Sequence, residues 1–470
     1  MFYASNRSIH IKKGEIMKIL LVRPKPHKDT IGLQHVMICE PLELEYLISN
    51  IPDDIKSETQ AEILDMILEK DSFEDIVTKK KPEFIVFTGY ITHVGIIKKM
   101  AEAAKNMLPS VKTGVGGVHA EVVPEDFSSE YIDFIYNRNG IDNFNLTLRG
   151  LINKKSLEEI NKEINTGDKR STFDYKYPDR KAVKKYRKKY YYMFHNPCAL
   201  IKTSFGCPYN CSFCFCKEIT GGRYYTREIK DIIKELASIE EEEVYIVDDD
   251  FLYDRNRLKN FIAELKANKI NKKFLVYGRA DFIAQNKDII KELKTVGLQA
   301  VIVGIESVRS GDLEDYKKGT TVEINEKCIQ ILQELDIELY ATLIIPLNFK
   351  KEDFNQLVSW LKKVNVKFVN LQPLTPLPGT DIFDDYKRLL LEDRQTFQVW
   401  DMAHVILKPE HMSIRAFYAE ILKAYYKVVM RPKHLIYLIK KYGLKANLKM
   451  LAGSSLISFQ YLQKIVRSNR

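Results

Sequence analysis

Residues 204–214 of this 470-residue chain read SFGCPYNCSFC, which places Cys207, Cys211 and Cys214 on one short segment. The apolar run 199–205 comes directly before the cysteines, so they stand at the carboxyl end of a predicted strand. The chain has seven cysteines, and three of them this close together do not suit a disulfide framework. In a reducing compartment such a cluster favours metal binding.

Strand and helix patterns alternate regularly from this segment onward. Short apolar runs separated by amphipathic stretches are typical of parallel strands joined by helical crossovers. The strand candidates are Ala199–Phe205, Glu243–Asp248, Phe274–Arg279, Ala300–Glu306, Leu339–Pro346 and Phe368–Pro373. The helix candidates are Arg227–Ile239, Arg255–Ala267, Lys287–Thr295, Glu323–Leu335 and Glu352–Lys363. The alternation predicts a (β/α)6 partial barrel whose functional groups lie at the carboxyl ends of the strands.

A second α/β pattern precedes the cysteines. Residues 18–22, 83–87, 112–115 and 132–136 read as short buried strands with amphipathic stretches between them. The whole chain is therefore predicted to be α/β, with an extension over residues 1–16 before the first strand. We predict a Rossmann-like open parallel sheet in residues 1–150, a charged connector in 151–190, the partial barrel in 191–398 and a helical region in 399–470.

The cysteines offer three thiolates, one fewer than an iron–sulfur cluster normally takes from a protein. A [4Fe–4S] cluster held this way would keep one iron open for an exchangeable ligand. Zinc is an alternative, with Cys216 as fourth ligand, although its spacing from Cys214 would strain a tetrahedral site. A third reading is that the three cysteines are incidental.

The C-x3-C-x-aromatic-C spacing after the first barrel strand resembles the motif of the radical S-adenosylmethionine (SAM) superfamily. The resemblance implies that Cys207, Cys211 and Cys214 hold a [4Fe–4S] cluster whose open iron binds SAM, with the backbone of Phe213 beside the adenine. It also implies cleavage of SAM to a 5′-deoxyadenosyl radical, which abstracts hydrogen from a small-molecule or lipid substrate. The electron would come from a donor such as flavodoxin or ferredoxin.

The same resemblance assigns roles at other strand ends. Asp248 and Asp249 stand where a polar group meets the SAM amino nitrogen, although carboxylates at such a position also cap helices. Arg279 would pair with the SAM carboxylate. Glu306 and Ser307 end the strand that contacts the ribose and carboxylate of SAM.

One subgroup of the superfamily resembles the whole chain. The shared runs are MKILLVRP (17–24), PLELEY (41–46), GGVH (116–119) and LTPLPGT (374–380). This subgroup carries an N-terminal cobalamin-binding-type domain. It contains C-methylases that act on hopanoids and antibiotics, and the anaerobic porphyrin-ring cyclase.

Within that subgroup the expected cobalamin site lies at Thr88, Gly116 and Gly117, on the loops that follow the sheet strands. The chain lacks the D-x-H-x-x-G motif whose histidine ligates cobalt in many cobalamin domains. His93 and His119 could each ligate cobalt, but either could equally be a hydrogen-bonded or solvent-facing loop histidine. Cobalamin is therefore an expectation that rests on the resemblance, and the domain could instead have lost it.

All of the net charge of +10 falls in the last 70 residues, with 13 Lys and Arg against 3 Asp and Glu from Asp401 onward. This basic region could be a solvated helix face, a contact for an anionic membrane, or a cap over the barrel mouth, and we expect the cap. No RNA-binding motif appears, so nucleic acid is not expected. No signal peptide and no apolar run of ~18 residues is present, which predicts a cytoplasmic protein with peripheral membrane contact left open.

The resemblance implies an enzyme, and first of all a cobalamin-dependent radical SAM C-methyltransferase. The alternative is a radical SAM enzyme of the same architecture that cyclises, oxidises or couples its substrate without methyl transfer. A third hypothesis is a non-catalytic iron–sulfur or cobalamin sensor, which would give the polar residues at the strand ends no purpose.

Overall fold

The computed structural model describes residues 16–168 and 173–467, so nearly all of the predicted extension lies outside the described part. The chain divides into two compact units. The first comprises Met1–Thr30 and Glu40–Lys188, and the second comprises Ile31–Cys39 and Lys189–Arg470.

The first unit is built on a five-stranded sheet in the order β2-β1-β3-β4-β5, with every pairing parallel. Its strands are β1 (Met17–Arg23), β2 (Thr59–Asp65), β3 (Phe84–Thr88), β4 (Lys112–Gly116) and β5 (Phe134–Ile135). The central strand β3 is buried along its whole length, as an apolar run between helices predicts. The sequence patterns missed the edge strand β2. Its first four residues are mostly polar and only partly buried, so they form no apolar run.

The longer helices of this unit are α1 (Leu42–Ser49), α2 (Phe73–Lys80), α3 (Val94–Met107), α4 (Gly140–Ile152) and α5 (Leu157–Glu163). Two of them begin with a serine cap. The hydroxyl of Ser72 accepts from the amide of Asp75, and Ser156 forms a reciprocal capping box with Glu159. The helices carry the chain between strands and keep the sheet parallel.

The second unit contains a six-stranded parallel sheet whose spatial order follows the chain. Its strands are β6 (Cys198–Ile201), β7 (Glu243–Ile246), β8 (Lys273–Gly278), β9 (Leu298–Glu306), β10 (Glu338–Ile345) and β11 (Phe368–Pro373). The crossover helices are α6 (Ile229–Ser238), α7 (Arg255–Ala267), α8 (Lys287–Thr295), α9 (Val322–Glu334) and α10 (Lys351–Lys363). This arrangement confirms the predicted partial barrel. The patterns missed two short helices, Ala280–Gln285 and Ser310–Asp315, which directly follow strand ends.

Two helices follow the barrel, α11 (Ile414–Val429) and α12 (Pro432–Arg467). Ser413 caps α11, as its sequence position suggests. Helix α11 covers the free edge of β11: the amide of Leu371 donates to the Tyr425 hydroxyl at 2.7 Å, and that hydroxyl lies 3.2 Å from the Leu371 carbonyl oxygen. A side chain thereby satisfies backbone groups that an open edge strand would leave unpaired.

Helix α12 bends at Gly443, whose φ of 76° and ψ of 166° are accessible only to glycine. Its first half packs at the amino ends of the barrel strands. Lys441 Nζ lies 2.9 Å from Oε1 of Glu338, and the His434 ring lies 5.7 Å from that of Phe368. Glu338 and Phe368 are the first residues of β10 and β11, so the expected cap over the barrel mouth is wrong for this segment. The helical pattern showed that a helix was present but carried no information about the end of the barrel it covers.

Among the described residues, no helix combines the length and apolar character that a bilayer-spanning segment requires.

Candidate functional site

The cysteine loop lies at the carboxyl end of the barrel sheet. After β6, Ser204–Phe205 pairs antiparallel with Tyr225–Thr226, and a short helix, Cys216–Thr220, follows the three cysteines. Cys207, Cys211 and Cys214 are all free thiols. The fold therefore presents three thiols at the strand ends, where the sequence predicts them.

The backbone of this loop is fixed by hydrogen bonds to other elements. The amide of Gly206 donates to Asp249 at 2.8 Å. The amide of Ser212 donates to the Tyr316 carbonyl at 3.1 Å, and the Ser212 carbonyl accepts from the Ile382 amide at 3.3 Å. The loop conformation is therefore held from several sides by the protein itself.

Asp248 is a structural residue in this arrangement. It is fully buried and accepts from the Thr203 amide at 2.6 Å and from the Ser204 hydroxyl at 2.7 Å. Thr203 also donates its hydroxyl to the same carboxylate. These contacts join the end of β7 to the chain that leaves β6 and leave little capacity for a ligand.

Asp249, the next residue, contacts the loop itself. Besides the Gly206 amide, its carboxylate lies 3.5 Å from Nζ of Lys202 and 3.8 Å from Sγ of Cys216. Its two oxygens are thus shared between the loop backbone, a lysine and the cysteine that follows the predicted ligands.

Asp250 differs from both neighbours, because its two carboxylate oxygens are buried and find no hydrogen-bond partner among the described residues. Burial raises the pKa of Asp250 to about 7, against the opposing charges of Arg279 and Lys318. A buried carboxylate without a donor is costly unless a ligand supplies one. Asp250 was not among the predicted SAM contacts, because three consecutive aspartates after a strand give no sign of which carboxylate lacks a hydrogen-bond partner.

Arg279 follows β8 and faces the cysteine loop. Its Nη1 lies 3.9 Å from Sγ of Cys211, and its guanidinium stacks 3.7 Å from the ring centre of Tyr209. Its other nitrogens donate to the Asp281 carboxylate at 3.0 Å and to the Lys318 carbonyl at 2.6 Å. The structure places this cation against a predicted ligand thiol.

Glu306 and Lys318 form a buried ion pair at the end of β9. Glu306 has a positive φ of 61°, and the strand register shifts between Gly304 and Glu306. A side chain at Gly304 would put its Cβ 2.1 Å from Oε1 of Glu306 and 2.7 Å from Nζ of Lys318. Glycine at 304 therefore makes room for the pair. No sequence pattern indicated Lys318 as the partner of Glu306, because this lysine stands in an exposed-looking KKG run that ends no strand.

Ser307 and Phe213, two other predicted contacts, already have protein partners. The Ser307 hydroxyl donates to Oδ2 of Asp312 at 2.5 Å, and Nη2 of Arg309 donates to Oδ1 of the same carboxylate at 2.7 Å. The Phe213 ring packs edge-on against Tyr316 with centroids 5.7 Å apart. Ser307 thus shapes the turn after β9, and Phe213 is fixed on the loop by an aromatic contact.

The three thiols differ in their electrostatic environment. Burial raises the pKa of Cys207 to about 12. Burial also raises the pKa of Cys211, although the charges of Lys318 and Arg279 oppose the rise. A hydrogen bond from Cys216 lowers the pKa of Cys214. Within the described residues, no three His, Cys, Asp or Glu side chains are arranged to hold a single metal ion.

In the first unit, Thr88, Gly116 and Gly117 lie at the carboxyl ends of β3 and β4. The Thr88 hydroxyl donates to Oε1 of Glu43 at 3.0 Å. Gly117 has a φ of 104°, and a Cβ there would lie 3.1 Å from the carbonyl oxygen of Gly89. The three predicted positions therefore come together at the carboxyl ends of two neighbouring strands, where Gly117 lets two loop backbones pack closely.

The two candidate histidines have different surroundings. His119 Nε2 lies 2.8 Å from Oδ2 of Asp126, and both side chains are buried, so this ring already has a partner. His93 accepts from the Tyr90 amide through Nδ1 at 3.2 Å, while its buried Nε2 has no hydrogen-bond partner among the described residues. Burial lowers the pKa of His93 to about 4, which keeps the ring neutral near pH 7.

Two family models match the chain. The model described as the radical SAM superfamily matches residues 201–364, which include the cysteine loop, Asp250, Arg279 and Lys318. The model described as a B12 binding domain matches residues 37–143, which include Thr88, Gly116 and Gly117. The chain contains a radical SAM domain and a B12-binding domain. The family resemblance inferred from the sequence is thereby confirmed.

Two curated relatives share most of this two-domain chain. A hopanoid C-3 methylase from Methylococcus capsulatus is 26% identical over 432 residues, covering 89% of this chain and 81% of the relative. An anaerobic magnesium-protoporphyrin IX monomethyl ester cyclase from Rubrivivax gelatinosus is 22% identical over 404 residues, covering 79% of this chain and 70% of the relative.

A solved structure shares the fold. The cobalamin-dependent SAM radical enzyme OxsB, determined with aqua-cobalamin and SAM bound, matches with a TM-score of 0.62 at 16% identity. The match covers 93% of this chain and 72% of OxsB. At this identity the likeness establishes the fold alone.

The residues present fit the cofactors that these domains imply. Three free thiols on one loop form a donor set for a [4Fe–4S] cluster, and the nearby cations of Arg279 and Lys318 offset the charge of thiolates. The unpaired carboxylate of Asp250 fits a cationic donor such as the amino group of SAM. In the B12-binding domain, Thr88, Gly116 and Gly117 lie at the carboxyl ends of β3 and β4, where open parallel sheets bind their ligands.

Proposed function

We propose that this protein is a radical SAM enzyme that methylates an unactivated carbon of a small molecule or lipid in a cobalamin-dependent reaction. The observation that carries the proposal is the loop of three free thiols beside buried cations and an unpaired carboxylate, in a chain with a B12-binding domain. The similarity to a hopanoid C-3 methylase over most of both chains supports methyl transfer to a lipid-like acceptor.

When bound, the [4Fe–4S] cluster would supply the electron that cleaves SAM, and cobalamin would carry the methyl group. Cys207, Cys211 and Cys214 are proposed as the cluster ligands. Each thiol must lose its proton to become a ligand. Arg279 and Lys318 favour that loss at Cys211, because their charges oppose the effect of burial on its pKa.

The protein's own residues also orient SAM in this proposal. Asp250 accepts hydrogen bonds from the SAM amino group, which gives its carboxylate the donors it lacks. Asp248 acts indirectly, because its bonds to Thr203 and Ser204 fix the chain that enters the cysteine loop. We propose Asp250, rather than Asp248, as the polar contact that the sequence resemblance places after the second barrel strand.

The second candidate is a radical SAM reaction without methyl transfer, which the match to a cyclase over 79% of this chain favours. The two candidates predict different products from SAM. Methyl transfer yields S-adenosylhomocysteine together with 5′-deoxyadenosine, whereas a reaction without it yields 5′-deoxyadenosine alone.

The test uses the full-length protein, reconstituted without oxygen with iron, sulfide and methylcobalamin. After addition of SAM, a strong reductant and a hopanoid lipid, we expect 5′-deoxyadenosine, S-adenosylhomocysteine and a lipid heavier by one methylene unit in the mass spectrum. Flavodoxin or ferredoxin as electron source should replace the chemical reductant.

Cys211→Ala should abolish both bound sulfide and 5′-deoxyadenosine. Cys328→Ala is the matched control, because Cys328 is a buried free thiol in α9 and not part of the loop. Zinc in place of iron and sulfide at the loop would contradict the proposal. The formation of neither product by a protein that holds its cluster would favour the sensor hypothesis.

A further inference from the structure

The second half of α12 exposes apolar side chains along one face. Leu444, Leu448, Leu451, Phe459 and Leu462 recur at spacings of three, four or eight residues, with Ser455 filling the gap. Such spacing places them on one stripe of a helix. Each is about half exposed or more, and Val466 continues the stripe with 70% of its surface exposed.

The opposite face of the same segment is fixed to the second unit. Tyr461 is buried, with its ring 6.0 Å from that of Tyr418. A Cβ at Gly453 would lie 2.0 Å from the carbonyl oxygen of His35, so the helix backbone approaches that residue closely. The exposed stripe is therefore an additional apolar face on a helix whose inner face is already packed.

The charge of this region is strongly one-sided. Residues 421–470 contain eleven Lys and Arg and no Asp or Glu. On the helix, Lys445 and Lys449 lie about 100° and 140° from the direction of Leu444, and so flank the stripe on one side. Lys440, Lys445 and Lys449 are all exposed, and Nζ of Lys449 lies 3.6 Å from the ring centre of Tyr191.

We propose that this stripe and its flanking lysines form a docking surface for an anionic phospholipid membrane. An exposed apolar face bordered by basic residues is the pattern of helices that lie in a membrane interface. Contiguous apolar surface of this kind is rare on proteins that have no partner for it. Two copies of this face would bring the same positive charges together, which opposes self-association, whereas acidic headgroups complement them.

Helix α12 would lie along the membrane surface, because no described helix is long and apolar enough to span a bilayer. Leucine and phenylalanine side chains would enter the headgroup and acyl boundary. The lysines would stay at the level of the lipid phosphates. The basic region then acts at the outer face of α12, away from the cysteine loop.

The first test is vesicle flotation of the full-length protein at about 0.1 M salt, where charge attraction persists over about 10 Å. We expect flotation with vesicles of phosphatidylcholine and phosphatidylserine, and little with phosphatidylcholine alone. Leu448→Ser with Leu462→Ser should weaken binding at least about tenfold, from the lost apolar burial. Leu389→Ser with Leu391→Ser is the control, because these exposed leucines lie outside α12.

The second test separates charge from apolar contact. Lys440→Gln with Lys445→Gln should weaken binding to the anionic vesicles at least about tenfold, since each basic residue near such a surface adds to the attraction. Lys259→Gln with Lys266→Gln removes the same charge from exposed positions on α7 and should leave binding unchanged.

Three results would overturn the proposal. One is the absence of flotation on anionic vesicles, and another is equal flotation of the α12 variants and their controls. The third is a concentration-dependent dimer in sedimentation that the Leu448 and Leu462 changes abolish while vesicle binding is absent. That result would assign the stripe to a second copy of the chain.

Discussion

Lys318 and Glu306 form an ion pair in which Nζ lies 2.9 Å from Oε1 and each side chain is only 9% exposed. Glu306 is the last residue of the barrel strand β9, and the lysine charge also acts on Cys211 in the cysteine loop. Buried pairs of this kind depend on both partners, because either charge alone would be left in a poorly solvated site.

Replacement of Lys318 by methionine should destabilise the protein by about 3 kcal/mol, since Glu306 would remain buried without its partner. The free energy of unfolding in urea measures this change. Lys318→Met with Glu306→Gln should recover part of the loss, because no charge then remains unpaired. The control is Lys317→Met at the adjacent exposed position, where the change should stay within about 0.5 kcal/mol.

Asp250 should make the cofactor-free protein less stable as the pH rises from about 4 to about 7, because in this window the carboxyl ionises in the unfolded chain but keeps its proton in the folded protein. Its pKa is near 3.9 in an unfolded chain and about 7 in the folded protein. The folded state therefore binds the extra proton in this window, and the associated stability, a few kcal/mol, is present below pH 4 and lost as the pH passes 7.

Urea unfolding at several pH values measures that slope. Asp250→Asn should flatten it, because an amide has no ionisation, and should leave a protein that is more stable at pH 8. Asp385→Asn, an exposed position in the same unit, should keep the wild-type slope. An unchanged slope in Asp250→Asn would contradict the raised pKa.

Gly117→Ala should destabilise the B12-binding domain by about 1–3 kcal/mol, because the residue has a φ of 104° and a Cβ would meet the Gly89 backbone. Cobalamin retention, followed by corrin absorbance after gel filtration, should fall in parallel. Gly95→Ala is the matched control within α3, where an added Cβ meets nothing within 4 Å. That change should be neutral or stabilising by up to about 1 kcal/mol.

Tyr425→Phe should cost about 1–2 kcal/mol, since the buried amide of Leu371 would lose its acceptor at the sheet edge. Tyr426→Phe removes the same hydroxyl from the adjacent exposed residue and should change stability by less than about 0.5 kcal/mol. Thermal or urea unfolding distinguishes the two variants. Equal effects would mean that Tyr425 contributes only by packing.

The sequence predicted the elements whose apolar pattern is strong and missed an edge strand whose pattern is weak. The six barrel strands and five crossover helices follow apolar periodicity, which is a local property of the chain. The strand Thr59–Asp65 escaped because an edge strand buries only part of its length and so shows a weaker pattern. The position of α12 at the amino ends of the strands is set by contacts such as Lys441 with Glu338, which no local pattern encodes.

The candidate site shows the same division. The spacing of Cys207, Cys211 and Cys214 is a local signal, and the structure places the three thiols on one loop. The difference in hydrogen bonding between Asp248 and Asp250 is not encoded locally. The hydroxyls of Thr203 and Ser204 donate to Asp248, whereas the Asp250 carboxylate has no partner among the described residues. Lys318 likewise became a candidate only through its ion pair with Glu306.

The coverage of β11 by α11 has a practical consequence for anyone who shortens this chain. A fragment that stops near residue 400 would lose Tyr425 and expose the backbone of Phe368–Pro373 to any other strand. Unprotected edges of this kind promote intermolecular sheet pairing, so such a fragment should precipitate or form fibres on storage. Preparations intended for crystals or spectroscopy should therefore retain the chain at least through Val429.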